Sequence, residues 1–202
     1  MDYNDASAVW TRAKEEYTRI KRGKCVNPKH IEEMLDRANA GSEQACLLLA
    51  LIFLDPTLET YDPRKAIQCI QQLVRENCFD SVHHLSEHLV LQRECDVAVA
   101  IGMKALRAVA KAGHTSSQHL LSCFLYDGVG TEKNAKEALD WLVRAARLND
   151  SEAQLALAYR YLNGDGVPKQ KKLAFYWARR AESLGNSDAF WILWMEELDD
   201  NT

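Results

Sequence analysis

The stretch "YLNGDGVPKQKKLAFYWARRAESLGN", residues 161–186, repeats the organisation of "LYDGVGTEKNAKEALDWLVRAARLND", residues 125–150. The two segments align without gaps at an offset of 36 residues, and each contains two glycines followed by an amphipathic run. Self-similarity at a fixed period of this length is typical of repeat proteins. The period therefore predicts that the chain is built from repeats.

The same offset organises residues outside these two segments. One column holds a leucine in successive repeats: Leu49, Leu85, Leu121, Leu157 and Leu193. A second column holds glycine or asparagine: Gly41, Asn77, Gly113, Asn149 and Gly185. Glycine and asparagine accept the left-handed backbone that commonly follows a helix. The second column therefore predicts where one helix of each repeat ends.

Within a repeat, the apolar residues follow the spacing of a helix. The segments "AQLALAYRYL", residues 153–162, and "KLAFYWARRAESLG", residues 172–185, both show an i, i+3, i+4 stripe. Stacked helix pairs share a continuous core that one pair could not form. We predict an all-α fold, an α-solenoid of antiparallel helix pairs with a 36-residue repeat. We expect one array over residues 1–202, with about five pairs and a capping helix over residues 188–198.

The last full repeat carries a pattern of small, aromatic and glycine residues: Ala153, Leu157, Ala158, Tyr161, Gly164, Gly166, Val167, Ala174, Trp177, Ala181 and Gly185. With this pattern the chain resembles a Sel1-like repeat protein. The preceding repeat matches at Leu121, Gly128, Val129, Gly130, Ala138, Trp141, Ala145 and Asn149. The resemblance is clearest over residues 113–185, degenerate over 41–112 and weak over 5–40. Sel1-like repeats are similar to tetratricopeptide arrays, so the resemblance implies a protein-binding scaffold or adaptor.

The glycines near residue 165 could belong to a ligand loop or to a turn between helices. A calcium loop counted back from Gly166 would start at Tyr161 and end at Lys172, where a bidentate glutamate is required. A phosphate loop would follow a strand and end in Gly-Lys-Ser or Gly-Lys-Thr, which this sequence lacks here. Because glycine readily adopts positive φ, we predict a structural turn.

Composition and charge narrow the classes of function. The chain has 202 residues, 47% of them hydrophobic and 27% charged, and a formal net charge of −4. This balance is typical of a soluble protein and argues against a general nucleic-acid binder. The first residues do not resemble an export signal, and no apolar run is long enough to span a bilayer. We therefore expect a cytoplasmic protein with reduced thiols, no cofactor and no membrane partner.

The repeat register predicts which side chains of the first helices lie outside the shared core. The resemblance implies that these helices line a concave groove. One column contains Leu47, His83, His119, Leu155 and Trp191, and the column one turn later contains Leu51, Glu87, Cys123, Tyr159 and Met195. We predict that His83, Glu87, His119, Cys123, Leu155, Tyr159, Trp191 and Met195 bind the partner.

Some of these residues permit another interpretation. His83 with Glu87, and His119 with Cys123, are i, i+4 pairs of residue types that bind zinc. A metal-dependent or thiol enzyme using them is the alternative to a binding module. Neighbouring helix axes lie about 8–10 Å apart, which would strain a four-ligand site, so we favour a polar groove without a metal.

Other histidines and cysteines fit the helix columns. His84 and His88 take positions that hold leucine, isoleucine or phenylalanine in other repeats, so we predict that they pack against a neighbouring helix. Cys25 and the other five cysteines lie in no recognisable nucleophile motif, so we predict buried or idle thiols.

The last helix contains Trp191 and Trp194, and a terminal helix has a neighbour on one side only. Either one tryptophan caps the core while the other is exposed, or this end is an interface. Taken with the resemblance, the sequence predicts a non-enzymatic module that binds a protein or peptide in its groove. A bacterial adaptor, or an immunity-type inhibitor that masks a toxin, is the specific role we expect from the small size and acidic charge.

Overall fold

The computed structural model describes residues 3–23 and 26–200, and the side chains of residues 6–23 and 26–195. This part of the chain contains 11 α-helices and no strand. The helices are α1 (Tyr3–Gly23), α2 (Pro28–Asn39), α3 (Glu43–Leu54), α4 (Pro63–Arg75), α5 (Phe79–Gln92), α6 (Asp96–Lys111), α7 (Thr115–Asp127), α8 (Ala135–Arg147), α9 (Ser151–Asn163), α10 (Lys171–Ser183) and α11 (Phe190–Asp200). The predicted all-helical repeat fold is confirmed. None of the described helices is long and apolar enough to cross a membrane.

Contacts divide the chain into two compact units, residues 1–109 (unit 1) and residues 110–202 (unit 2). In unit 1, α3 packs against α4, and α4 packs against α5. In unit 2, α7 pairs with α8, α9 pairs with α10, and α8 packs against α9. A short 3₁₀ turn, Ser187–Ala189, leads into α11, which packs on α10. Each unit is thus built from successive helix pairs.

The two sequence columns take the structural roles predicted for them. Leu49, Leu85, Leu121 and Leu157 are fully buried, and Leu193 is half-buried. The glycine and asparagine column has positive φ in every repeat: 89° at Gly41, 59° at Asn77, 100° at Gly113, 66° at Asn149 and 87° at Gly185. The left-handed positions and the first four leucines confirm the 36-residue register.

The turn around residue 165 joins two helices, as predicted. Gly164 and Gly166 have φ of 84° and 71°. A Cβ at Gly164 would lie 2.8 Å from Cγ of Lys169, whose side chain folds over this glycine. The backbone N–H of Gln170 donates to the carbonyl oxygen of Tyr161 at 2.9 Å and closes the turn. The two glycines therefore permit the left-handed backbone of the turn, and Gly164 also leaves room for the Lys169 side chain.

A buried glutamine joins successive helix pairs in unit 2. Gln118 donates from Nε2 to the carbonyl oxygen of Ala110 at 2.9 Å, and Gln154 donates to Ala146 at the same distance. Both the glutamines and the alanines are 36 residues apart. The last carbonyls of a helix lack partners within the helix, so each glutamine satisfies one of them. The first helix of a pair is thereby tied to the helix before it.

Helix α1 departs from the pattern of the later repeats. It packs against α3 and α5, and α2 packs against α3. Ala13 and Tyr17 of α1 are buried in the same apolar cluster as Leu47 and Leu51 of α3. The weak first repeat, residues 5–40, therefore packs its first helix against the first helices of the next two repeats.

A buried carboxylate holds α1 in this position. Asp55 accepts hydrogen bonds from the Tyr17 hydroxyl at 2.8 Å and from the Thr57 N–H at 2.9 Å. Lys21 Nζ lies 3.3 Å from Asp55 Oδ2 and also pairs with Glu94. Burial would raise the pKa of Asp55, but these hydrogen bonds and the charge of Lys21 lower it below its ordinary value. Asp55 is therefore ionised in the folded protein at neutral pH.

Truncation of the leucine column tests the register. We expect Leu121→Ala and Leu157→Ala each to lower the free energy of unfolding by about 2–5 kcal/mol, because each removes a fully buried side chain. Urea denaturation followed by circular dichroism measures the change. Leu184→Ala is the matched control, since Leu184 is exposed and the same truncation there should cost little. A loss within experimental error at either buried leucine would show that the register is wrong.

The Asp55 network makes a prediction about pH. A carboxylate whose folded pKa lies below its unfolded value of 3.8 stabilises the fold above that pH, and the stability is lost as the pH falls through the folded pKa. Asp55→Asn should lower the free energy of unfolding by about 1–3 kcal/mol at pH 7, with a smaller deficit in acid. Denaturation at pH 7 and pH 3 measures both values. The exposed Asp36→Asn is the control, and a pH-independent deficit for Asp55→Asn would contradict this account.

Candidate partner-binding face

In unit 1, the first helices are not free of core packing. Leu47 and Leu51, which share the predicted groove columns, are fully buried. They belong to the apolar cluster that includes Ala13 and Tyr17. The expectation of free side chains along these columns therefore does not hold on α3, because α1 covers this helix.

The predicted binding residues of unit 1, His83 and Glu87, are half-buried on α5, which packs against α1. The Trp10 ring of α1 stacks on His84, with centroids 6.2 Å apart, and meets His88 edge-on at 5.5 Å. Burial lowers the pKa of His88 below its ordinary value. The prediction that His84 and His88 are packed histidines is confirmed.

In unit 2, the predicted residues divide by exposure. Tyr159 of α9 is 38% exposed, and Trp191 and Met195 of α11 are exposed. His119 and Cys123 of α7 are half-buried. These five side chains are called the first-helix face of unit 2. Leu155 is only 7% exposed and packs in a cluster with Phe175 and Ile192, so it lies in the core and was wrongly predicted to be free.

The α7 part of this face is polar. His119 Nδ1 lies 3.9 Å from Asp150 Oδ1, and Asp150 also accepts a hydrogen bond from the N–H of Ala153 at the start of α9. Burial lowers the pKa of His119, although the negative charge of Asp150 opposes this shift. At neutral pH the imidazole is therefore mostly uncharged.

The described thiols on α3, α4 and α7 do not resemble activated nucleophiles. Burial raises the pKa of Cys123, and the nearby Asp127 raises it further. Burial also raises the pKa of Cys46 to about 12 and that of Cys69 to about 11. A catalytic thiol needs a lowered pKa, because the thiolate is the reactive form. These cysteines therefore give no support to a thiol enzyme, and Cys25 lies outside the described residues.

One contact of unit 2 was missed in the sequence. The Arg160 guanidinium lies over the Tyr126 ring, 4.1 Å from its centroid, and joins α9 to the end of α7. Arginine over an aromatic ring is a cation–π contact. The available signal was that Arg160 occupies the register position of Ile52 and Phe124 in other repeats. A cation at a position that is apolar in two other repeats indicates a specific partner for its charge.

Helix α11 ends unit 2 with an exposed apolar patch. Its core contacts come from Ile192, which is fully buried, as is Ala189 just before the helix. Four other side chains are exposed, at 55% for Phe190, 60% for Trp191, 45% for Trp194 and 44% for Met195. Neither tryptophan caps the core. The Trp191 ring contacts the rings of Phe190 and Trp194, with centroids 5.6 and 6.4 Å apart.

Unit 1 has an apolar cleft on its second helices. The cleft has a volume of about 380 Å³ and lies between α4 and α6. Ile67, Ile70, Val74 and Ile101 form much of its wall, and the cationic residues Arg75 and Lys104 also line it. Exposed apolar concavities commonly bind ligands or partners, so this cleft competes with the first-helix face of unit 2 as a binding surface.

Comparison with known proteins supports the repeat interpretation. The chain is similar to a Sel1 repeat protein from Oxalobacter formigenes, with 24% identity and a TM-score of 0.51, over 58% of this chain and 90% of that chain. It is also similar to a protective antigen present in uropathogenic Escherichia coli strains and displaying an SLR fold. That match has 21% identity and a TM-score of 0.55, covering 81% of this chain and 34% of the antigen. This chain therefore spans about a third of the antigen, and both similarities concern the fold. A comparison with curated proteins finds no match.

The family model described as Sel1 repeat matches residues 43–77, 115–150 and 151–186. These segments correspond to the pairs α3 and α4, α7 and α8, and α9 and α10. Sel1 repeats are generally protein–protein interaction modules and are typically non-catalytic scaffolds. Because the matched segments make up more than half of the residues, the chain belongs to the Sel1 repeat family.

Proposed function

We propose that this protein is a non-enzymatic module that binds a protein or peptide partner on the first-helix face of unit 2. The observation that carries the proposal is the exposed apolar patch of α11, formed by Phe190, Trp191, Trp194 and Met195. Contiguous exposed aromatic side chains are unusual on a soluble monomer and mark interaction sites. Membership of the family supports the general role, and the exposed patch supports this location for it.

The composition of the face suits a protein interface. Tryptophan, tyrosine and arginine carry most of the energy in such interfaces, since they combine large apolar area with a polar group. Tyr159 and Trp191 provide the aromatic anchors of this face, and Trp194 of the α11 patch provides a third. His119 on α7, whose lowered pKa leaves it mostly uncharged at neutral pH, adds a hydrogen-bonding group to the face. We infer a partner with an apolar anchor segment flanked by polar groups.

The specific role we propose is masking. The net charge of −4 suits an acidic inhibitor that covers the active surface of a more basic partner. In a bacterium, an immunity-type protein that masks a toxin would work in this way. An adaptor would instead hold its partner without changing the activity of that partner.

Masking and adaptor roles differ in a measurable way. The partner is first captured from the native cell extract and identified, and its activity is then titrated with the purified chain. Masking predicts that activity falls to zero at one chain per partner. Full residual activity in the saturated complex would exclude masking and leave the adaptor role.

Substitutions on two faces of unit 2 test the location of the site. Tyr159→Ala and Trp191→Ala should each weaken binding of the captured partner at least tenfold, about 1.4 kcal/mol, because both side chains are exposed aromatic anchors. Tyr176→Ala on α10 is the matched control, since it removes a tyrosine of similar exposure from a second helix. Lys136→Ala on α8 and Arg179→Ala on α10 are further controls on second helices. All three control substitutions should change the affinity much less than the two on the first-helix face. Isothermal titration measures the affinities, and circular dichroism confirms folding.

A further substitution separates this face from the apolar cleft of unit 1. Lys104→Glu reverses a charge in the wall of the cleft and should leave the affinity unchanged. Loss of binding in Lys104→Glu or in the α8 and α10 variants, with normal binding of Tyr159→Ala and Trp191→Ala, would refute the assignment.

A further inference from the structure

Three potential metal ligands lie together on α5. His83 and His84 are adjacent, and Glu87 follows one turn later, at i+4 from His83 and i+3 from His84. Side chains at these spacings share one side of a helix. A ligand atom from each residue lies within 4.8 Å of the other two, and all three side chains are half-buried. Among the described residues this is the one group of three or more metal-ligating side chains that meets this distance.

The ligand types favour zinc. Imidazole nitrogen and carboxylate oxygen bind Zn²⁺ at about 2.0–2.2 Å, and sites with three protein ligands keep water in the fourth position. Tetrahedral ligands at such distances lie about 3.4 Å from one another. The three side chains need to draw together by about 1.4 Å at most, which rotation about side-chain torsions can provide.

The surroundings hold part of this group in place. The rings of His83 and His84 lie 5.3 Å apart at 69°, and the Trp10 ring of α1 also stacks on His84, with planes inclined by 21°. Lys14 Nζ lies 5.8 Å from the Trp10 ring centre, a cation–π contact within α1 that helps to fix the Trp10 ring. A ligand whose ring orientation is restricted loses less freedom when an ion binds.

We propose that His83, His84 and Glu87 bind one divalent transition-metal ion, with zinc preferred, and that water completes its coordination. The proposal is independent of the partner-binding face, which lies in unit 2. It also differs from a four-ligand site formed with His119 and Cys123, since every ligand comes from one turn of α5. The ion would add rigidity to the helix turn that faces Trp10.

Zinc chloride is the probe for this site. The full chain is treated with a chelator, exchanged into buffer and titrated with zinc chloride in a calorimeter. We expect one ion per chain with a Kd below about 10 µM. His83→Ala, His84→Gln and Glu87→Gln should each weaken zinc binding at least tenfold. Cobalt(II) should give the visible absorption bands of a four-coordinate ion in the unchanged protein and not in these variants.

A matched control comes from another histidine and carboxylate pair. His30 Nε2 lies 3.3 Å from Glu16 Oε1 near the start of α2, and the described part of the chain adds no third ligand to this pair. His30→Ala should leave zinc binding unchanged. The proposal is overturned if zinc binds with a Kd above about 10 µM, or if the three α5 variants, folded by circular dichroism, bind zinc as the unchanged protein does. Equal loss of affinity in His30→Ala would also overturn it, because binding would then not be specific to α5.

Discussion

The sharing of one core between successive helix pairs is the constraint on which the structure depends. A single pair of these helices cannot bury its apolar side, so each repeat needs a neighbour at a fixed register. Leu121 and Leu157 lie fully buried at equivalent positions of adjacent repeats in unit 2. Gln118 and Gln154 fix the register by satisfying a carbonyl at the end of the preceding helix. A residue in left-handed backbone then reverses the chain after each second helix.

The first and last described helices pack differently on their neighbours. At the N-terminal end, α1 packs against α3 and α5 and is held there by Tyr17, Lys21 and the buried Asp55. At the C-terminal end, α11 buries Ile192 and leaves its aromatic side chains exposed. Helix α1 covers Leu47 and Leu51, which the predicted groove required to be exposed. Helix α11 leaves an apolar surface that a partner can cover, and for this reason we propose the binding site in unit 2.

Local rules made much of the fold predictable. The left-handed column, the buried leucines and the glycine turn all depend on residues within one repeat or its direct neighbour. The position of α1 was not predictable in the same way, because it depends on contacts between residues far apart in sequence, such as Tyr17 and Asp55. The family model does not match residues 78–114, which contain α5 and α6, yet the buried Leu85 and the left-handed Gly113 in that interval follow the register.

The candidate site was predictable only in part. Register alone predicted the exposure of Tyr159, Trp191 and Met195. It failed for Leu155, because Phe175 and Ile192 close over that side chain. It also could not show the stacking of Arg160 on Tyr126, which depends on the distance between two helices. The repeat register therefore predicts where a side chain lies along its helix better than it predicts which side chains of other helices it contacts.

Hydrogen exchange of the chain, free and saturated with its captured partner, tests the central claim most directly. Exchange slows where a partner covers a helix and stabilises its backbone hydrogen bonds. The account predicts slower exchange in α9 and α11, with α8 and α10 changed far less. Slower exchange confined to α8 and α10, or to α4 and α6 around the apolar cleft, would contradict it.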